Sequence, residues 1–197
     1  MDSKKQIQST EEEEPKKGPW KIPETEGRFT DEHVFEHVRK AMSDHAAEYE
    51  VAIGTDSQIR GRLFQFITVL CIWKKGKGGL YYYKNEYMPR KAFPVANQKM
   101  RMFDEVTRTI TFANTIHEKT GFKPIVHVDA SAPTKKEFTS AFSEQLRGYV
   151  VSSGYDCVLK PESYVATCIA DRHSKRKIRA RDLREIKKEY GQKAPRD

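Results

Sequence analysis

The chain has 197 residues, 37% hydrophobic and 32% charged, which suits one domain with a modest core and polar segments outside it. Its three cysteines, Cys71, Cys157 and Cys168, form no CxxC pair, which argues against a zinc ribbon or disulfide framework, and no apolar run approaches the roughly 20 residues that span a bilayer. The formal charge of +8 is uneven: residues 1–17 come to −1 (four Lys, five Asp or Glu), residues 172–197 to +7 (eleven Lys or Arg, four Asp or Glu), and the rest to +2 by difference.

The start, MDSKKQIQSTEEEEPKK, has no apolar signal stretch, so a soluble, cytoplasmic protein is expected. Residues 1–25, with EEEE and prolines at Pro15, Pro19 and Pro23, read as a disordered polar tail. FTDEHVFEHVRKAMSDHAAEY reads as a helix capped by Thr30 or Asp31, with Val34, Val38, Met42 and Ala46 on one face. Three strands follow, Glu50 to Ser57, Leu63 to Lys74, and LYYYKNEYM, joined by turns at IRGR and KKGKGG into an antiparallel meander.

The period then changes. Met102, Phe103, Val106, Ile110, Ala113 and Ile116 mark a helix that Gly121 closes. A fourth strand runs from Pro124 to Ala130, a helix with Thr134 as N-cap ends near Gly154, and a fifth strand, YDCVLKP, stops at Pro161. SYVATCIADRHSKRK reads as a helix capped by Ser163, and ARDLREIKKEYG as a last, basic helix. After the N-terminal helix the order is β-β-β-α-β-α-β-α, an α/β fold with a mixed five-stranded sheet and helices on its faces. The expected domain covers residues 26–178, with a basic helix or tail over 179–197. An edge on the three-stranded side could pair with a second chain.

This frame gathers four acids. Asp56 falls at the end of the first long strand and Asp129 at the end of the fourth, its expected neighbour. Glu105 lies beside the apolar face of the helix after the meander, and Asp171 follows the face of Tyr164 and Cys168 on a later one. Carboxylates gathered so closely repel each other unless cations fill the site, and hard oxygen ligands suit Mg²⁺ or Mn²⁺. Two such ions about 4 Å apart can activate a water and stabilise the leaving oxygen in phosphodiester cleavage.

The element order and the positions of the acids resemble the ribonuclease H-like fold. GTDSQ, HVDAS and KPESYVATCIADRHSK are similar to the YkuK family of ribonuclease H-like proteins, over about residues 25 to 178. The resemblance implies a metal-dependent nuclease with Asp56, Glu105, Asp129 and Asp171 as metal-binding, catalytic acids. Asp56 and Asp129 would share two ions, and Glu105 and Asp171 would complete the two sites. Asp104 lies beside Glu105, about 100° away around the helix. A nucleic-acid-binding module that keeps the fold without turnover is the alternative.

Each acid also has a plainer reading: a turn residue for Asp56, a loop start for Asp129, an intrahelical pair with Lys175 for Asp171, and one with Arg101 or Arg108 for Glu105. Ser57 could bond a carboxylate or a phosphate, and Lys160, Arg172 and Lys175 could touch substrate phosphates or be solvated surface charge. His127 is expected to be a satisfied core residue, and Tyr81 to Tyr83 to pack in a strand rather than stack on bases. The basic C-terminal segment suits RNA, DNA or a hybrid, held by its backbone without sequence reading.

Overall fold

The computed structural model describes residues 20–23, 27–90, 98–131, 140–178 and 180–191. Its strands are β1 Trp20–Lys21, β2 Arg28–Phe29, β3 Tyr49–Arg60, β4 Leu63–Lys74, β5 Gly78–Pro89, β6 Ile125–Ser131 and β7 Cys157–Lys160. Its helices are α1 Asp31–His45, α2 Gln98–Thr120, α3 Ser140–Ser152, a π-helical segment Val165–Ala170 that runs into α4 Asp171–Ser174, and α5 Ala180–Tyr190. One sheet forms in the order β2-β1-β5-β4-β3-β6-β7.

The three strands β3, β4 and β5 are the expected meander, each 12 residues long and antiparallel to its neighbour. β3 then pairs in parallel with β6, and β6 with β7. This five-stranded core matches the expectation, but the sheet has seven strands. The additional two are two-residue strands, too short for side-chain alternation to reveal. Lys21 of β1 pairs with Tyr83 of β5, and Trp20 pairs with Phe29 of β2, so these strands occupy part of the edge that the sequence left open to a second chain.

Trp20, placed by the sequence in a polar tail, is fully buried. Its indole N–H donates to Asp31 Oδ1 at 2.5 Å and its ring centroid lies 4.8 Å from that of Phe112. A single large aromatic buries enough apolar surface to hold a short polar segment against the sheet. Residues 1–19 and the expected cap Thr134 fall outside the described residues.

The helices form where the apolar spacing puts them. Thr30 Oγ1 accepts the His33 amide at 3.2 Å and so caps α1, and Gly121, at φ 74°, closes α2 with its N–H on the His117 carbonyl. One face of the sheet, with Val51, Ile53, Leu70, Ile72 and Tyr82, packs against α1, α2 and α3 through Val34, Val38, Val106, Ile116 and Leu146. The other face, with Ala52, Ile67, Val69, Cys71 and Tyr83, packs against Val165 and Ala170 of the π-helical segment and its continuation.

That approach depends on Gly54. A Cβ there would stand 2.9 Å from the Ala166 Cβ and 3.0 Å from the His127 carbonyl oxygen. The missing side chain lets the π-helical segment settle on β3 two residues before Asp56. Ser163 does not cap this segment as expected: Tyr164 is the capping residue and makes no side-chain cap, while the Ser163 hydroxyl meets Thr167 Oγ1 at 2.8 Å.

Candidate functional site

The first strand does not end on Asp56; β3 runs on to Arg60. What stops near Asp56 is the pairing with β6, whose last bonded pair is Gly54 with His127. Carrying that register two residues further sets Asp56 level with Asp129, where the two parallel strands part. Asp56 shares its face with Ala52 and Gly54, toward the π-helical segment, while Ser57 points to the opposite face, toward α2.

On the α2 side, Ser57 donates to Glu105 Oε1 at 2.5 Å. One turn along α2, Thr109 donates to Thr55 Oγ1 at 2.9 Å, so two hydroxyl contacts two residues apart on β3 fix the helix in register. Glu105 is 8% exposed. Burial, with the charges of Asp56 and Asp129 behind it, pushes its carboxyl up to about 8, against the pull of Ser57 and Arg101. Arg101 Nε stands 3.8 Å from Glu105 Oε1. The neighbouring acid Asp104 is turned away and paired with Arg108 at 2.7 Å.

On the other side, Ser174 donates to Asp56 Oδ2 at 2.7 Å, with the Asp171 carbonyl oxygen as an alternative acceptor at 2.9 Å. Burial pushes Asp56 up to about 6; Ser174 opposes this, and Asp129 and Asp171 add to it. Arg60 fixes the end of α4 by donating to the carbonyls of Ser174 and Arg176. Asp171 opens α4 and is half-buried, whereas Cys168 is exposed. The π-helical segment is wider than an α-helix, so counting at 3.6 residues per turn loses phase across it.

Two lysines stand among the acids. Lys160 Nζ lies 2.6 Å from Asp129 Oδ1, a short ionic contact. Lys175 donates to Asp171 Oδ2 at 2.8 Å, which raises the lysine's pKa, and the charges of Asp56 and Asp129 raise it further. Each of the four acids thus acts electrostatically on at least one other group of the cluster.

Of the residues expected to meet phosphates, Ser57 is buried and committed to Glu105, Lys160 and Lys175 sit on acids, and Arg172 is exposed. His127 is 3% exposed and accepts the Val165 N–H through Nδ1 at 3.3 Å; burial pulls its pKa down to about 4, so it is a neutral core residue. Tyr82 and Tyr83 are buried, Tyr83 with its ring 3.9 Å from that of His173, and Tyr81 reaches His173 Nε2 at 3.0 Å. Ser174 and Arg60 were given no role by the sequence reading. The one available signal was the place of Ser174 three residues after Asp171, on the same side of a helical turn.

Among the described residues, no three His, Cys, Asp or Glu side chains already stand as a metal-binding group. The donor chemistry nevertheless fits a hard divalent cation: oxygen ligands only, the carboxyls of Asp56 and Glu105 raised by burial and neighbouring acids, and one buried carboxylate oxygen, Asp129 Oδ1, met among the described residues by the Lys160 ammonium alone. The lysine contacts are what an entering cation would have to replace.

No helix among the described residues is long and apolar enough to cross a membrane. A sequence model of the family described as "Ribonuclease H-like" matches residues 33–175. A protein of Bacillus subtilis (strain 168) named "Uncharacterized protein YkuK" is 26% identical over 168 residues, which cover 77% of this chain and 94% of that protein. No solved structure gives a match. The matched segment runs from α1 to the end of α4 and contains all four acids, so the chain belongs to the ribonuclease H-like family, with YkuK among its relatives.

Proposed function

We propose that the protein is a metal-dependent nuclease that hydrolyses phosphodiester bonds at the point where β3 and β6 part. The observation that carries this reading is the electrostatic coupling of Asp56 to Asp129, Asp171 and Glu105, with Asp56 and Glu105 held well above the ordinary carboxylate range. A protein that keeps such a costly cluster gains most if cations complete it. Asp56 and Asp129 would hold two Mg²⁺ or Mn²⁺ ions jointly, with Glu105 and Asp171 each completing one site. What the ions would supply there is Lewis-acid activation of a water and stabilisation of charge on the leaving 3′ oxygen.

The chain's own groups have separate tasks. Ser57 orients Glu105, and Ser174 orients Asp56. Lys160 and Lys175 neutralise Asp129 and Asp171, and on displacement would meet substrate phosphates together with the exposed Arg172. The test is incubation with Mg²⁺ or Mn²⁺ and hybrid, single-stranded, duplex and branched substrates. Cleavage that disappears in Asp56→Asn is expected; no cleavage of any substrate would overturn the reading.

One observation favours a second reading, a nucleic-acid-binding module without turnover: the lysines already supply positive charge to two of the four acids. That module would bind nucleic acid in a salt-sensitive way, and the binding would survive Asp56→Asn.

A further inference from the structure

The described segments on either side of the family match, residues 20–23, 27–32, 176–178 and 180–191, meet at the β5 edge of the sheet. α5 packs there through buried Leu183 and Ile186, and the Tyr190 hydroxyl donates to the Tyr87 carbonyl of β5 at 2.7 Å. The helix is divided by charge. On one flank Asp182 receives Lys21 of β1 at 2.8 Å, and Glu185 receives Arg28 of β2 at 2.7 Å. On the other flank Arg184, Lys187 and Lys188 are exposed, and none makes an ion pair or hydrogen bond among the described residues.

The two short strands therefore have an electrostatic consequence. They neutralise acids of α5 from one side and leave its bases free on the other. In the sequence, the exposed Arg172, Lys175, Arg176 and Lys177 lie between Asp171 and α5, with Lys175 paired to Asp171. The sheet register sets the scale. Asp56 pairs across Ile67 to Asn85, and Gln58 across Gln65 to Tyr87, so the α5 anchor lies two strands over and two residues along from Asp56. At about 4.8 Å per strand and 3.3 Å per residue this is roughly 12 Å. At the 3.4 Å advance per nucleotide of a strand in a duplex this distance is about three to four steps, and a more extended single strand covers it in fewer.

We propose that β1, β2 and α5 form an accessory phosphate-binding unit that holds a nucleic-acid backbone a few nucleotides away from the acidic site, through Arg184, Lys187 and Lys188. The ligand class is an extended nucleic acid strand rather than a mononucleotide or dinucleotide. The proposal rests on the reading of the protein as one that handles nucleic acid, and it is independent of turnover.

The test uses the full chain with EDTA present, so that cleavage plays no part, and a fluorescently labelled 20-nucleotide single strand titrated at several salt concentrations. Three proteins are compared: wild type, the triple variant Arg184→Gln, Lys187→Gln, Lys188→Gln, and a control of equal charge loss, Lys40→Gln, Lys75→Gln, Lys77→Gln, at the other end of the sheet. All substituted side chains are exposed, and thermal melts check that each variant folds. The salt slope should fall by about 2 in the triple variant, for three phosphate contacts, with binding at least tenfold weaker near 0.1 M salt. The control should stay within about twofold of wild type.

Equal binding by the triple variant and the control would overturn the accessory unit alone. No binding by the wild type would overturn it together with the nucleic-acid reading. Binding to phosphatidylserine vesicles in place of nucleic acid would do the same, and would reassign the flank to membrane surfaces.

Discussion

Asp56 and Ser57, adjacent on β3, serve opposite faces of the sheet: Asp56 accepts from Ser174 at 2.7 Å, and Ser57 donates to Glu105 at 2.5 Å. Strand alternation thereby joins two halves of one site, one brought by the π-helical segment with α4 and the other by α2. The acids influence each other because the sheet opens beside them, where β6 leaves β3.

The raised carboxyls give the metal-free protein a definite pH dependence. Asp56 moves from 3.8 to about 6 and Glu105 from 4.5 to about 8 on folding. Between the unfolded and folded values the native state binds more protons than the unfolded chain, so stability falls as pH rises. The penalty is absent below about pH 4 and complete above about pH 8, on the order of a few kcal/mol. Urea unfolding in EDTA should show a lower midpoint at pH 8.5 than at pH 5.5. Excess Mg²⁺ should remove most of the difference, because a bound cation favours the ionised acids.

The Lys160 ammonium stands 2.6 Å from Asp129 Oδ1, so if Asp129 holds a metal ion as proposed, removing the lysine should favour that ion. Lys160→Met is expected to strengthen Mn²⁺ binding several-fold and to cost the metal-free protein about 1 kcal/mol, as for a partly exposed pair. Calorimetric titration of Mn²⁺ reads the first effect and urea unfolding the second. Unchanged Mn²⁺ affinity would mean that the ammonium does not compete for the site.

Gly54→Ala introduces a methyl 2.9 Å from the Ala166 Cβ. The π-helical segment must shift, carrying α4, Asp171 and Ser174 with it. A loss of about 1–3 kcal/mol is expected, the usual cost of overpacking. Metal affinity should fall as well, which separates a shift of the acids from simple destabilisation. Thermal unfolding and Mn²⁺ titration on the same variant check both.

The central strands were legible because their composition is extreme. Leu63 to Lys74 alternates nothing, being buried on both faces, yet FQFITVLCIW is so β-branched and aromatic that its bounds were readable to the residue. Trp20–Lys21 and Arg28–Phe29 were not legible, since two residues carry no period and their stability comes from β5 and α5 far along the chain. The strand faces of Asp56 and Asp129 follow from period alone, although the strand that carries Asp56 runs on to Arg60. The local partners Lys175 of Asp171 and Arg101 of Glu105 were legible at helical spacing, but the distant ones were not: Ser174 reaches Asp56 across 118 residues, and Arg60 reaches Ser174 across 114. The π-helical segment also hid the face of Asp171 from any count based on an α-helix.

The measurement closest to the central claim is Mn²⁺ titration by calorimetry on the wild type and on the double variant Asp56→Asn, Asp129→Asn. Saturable binding by the wild type, lost in the double variant, is the predicted result. Binding that persists unchanged in the double variant, or none in the wild type, would contradict a metal centre built on these two strands.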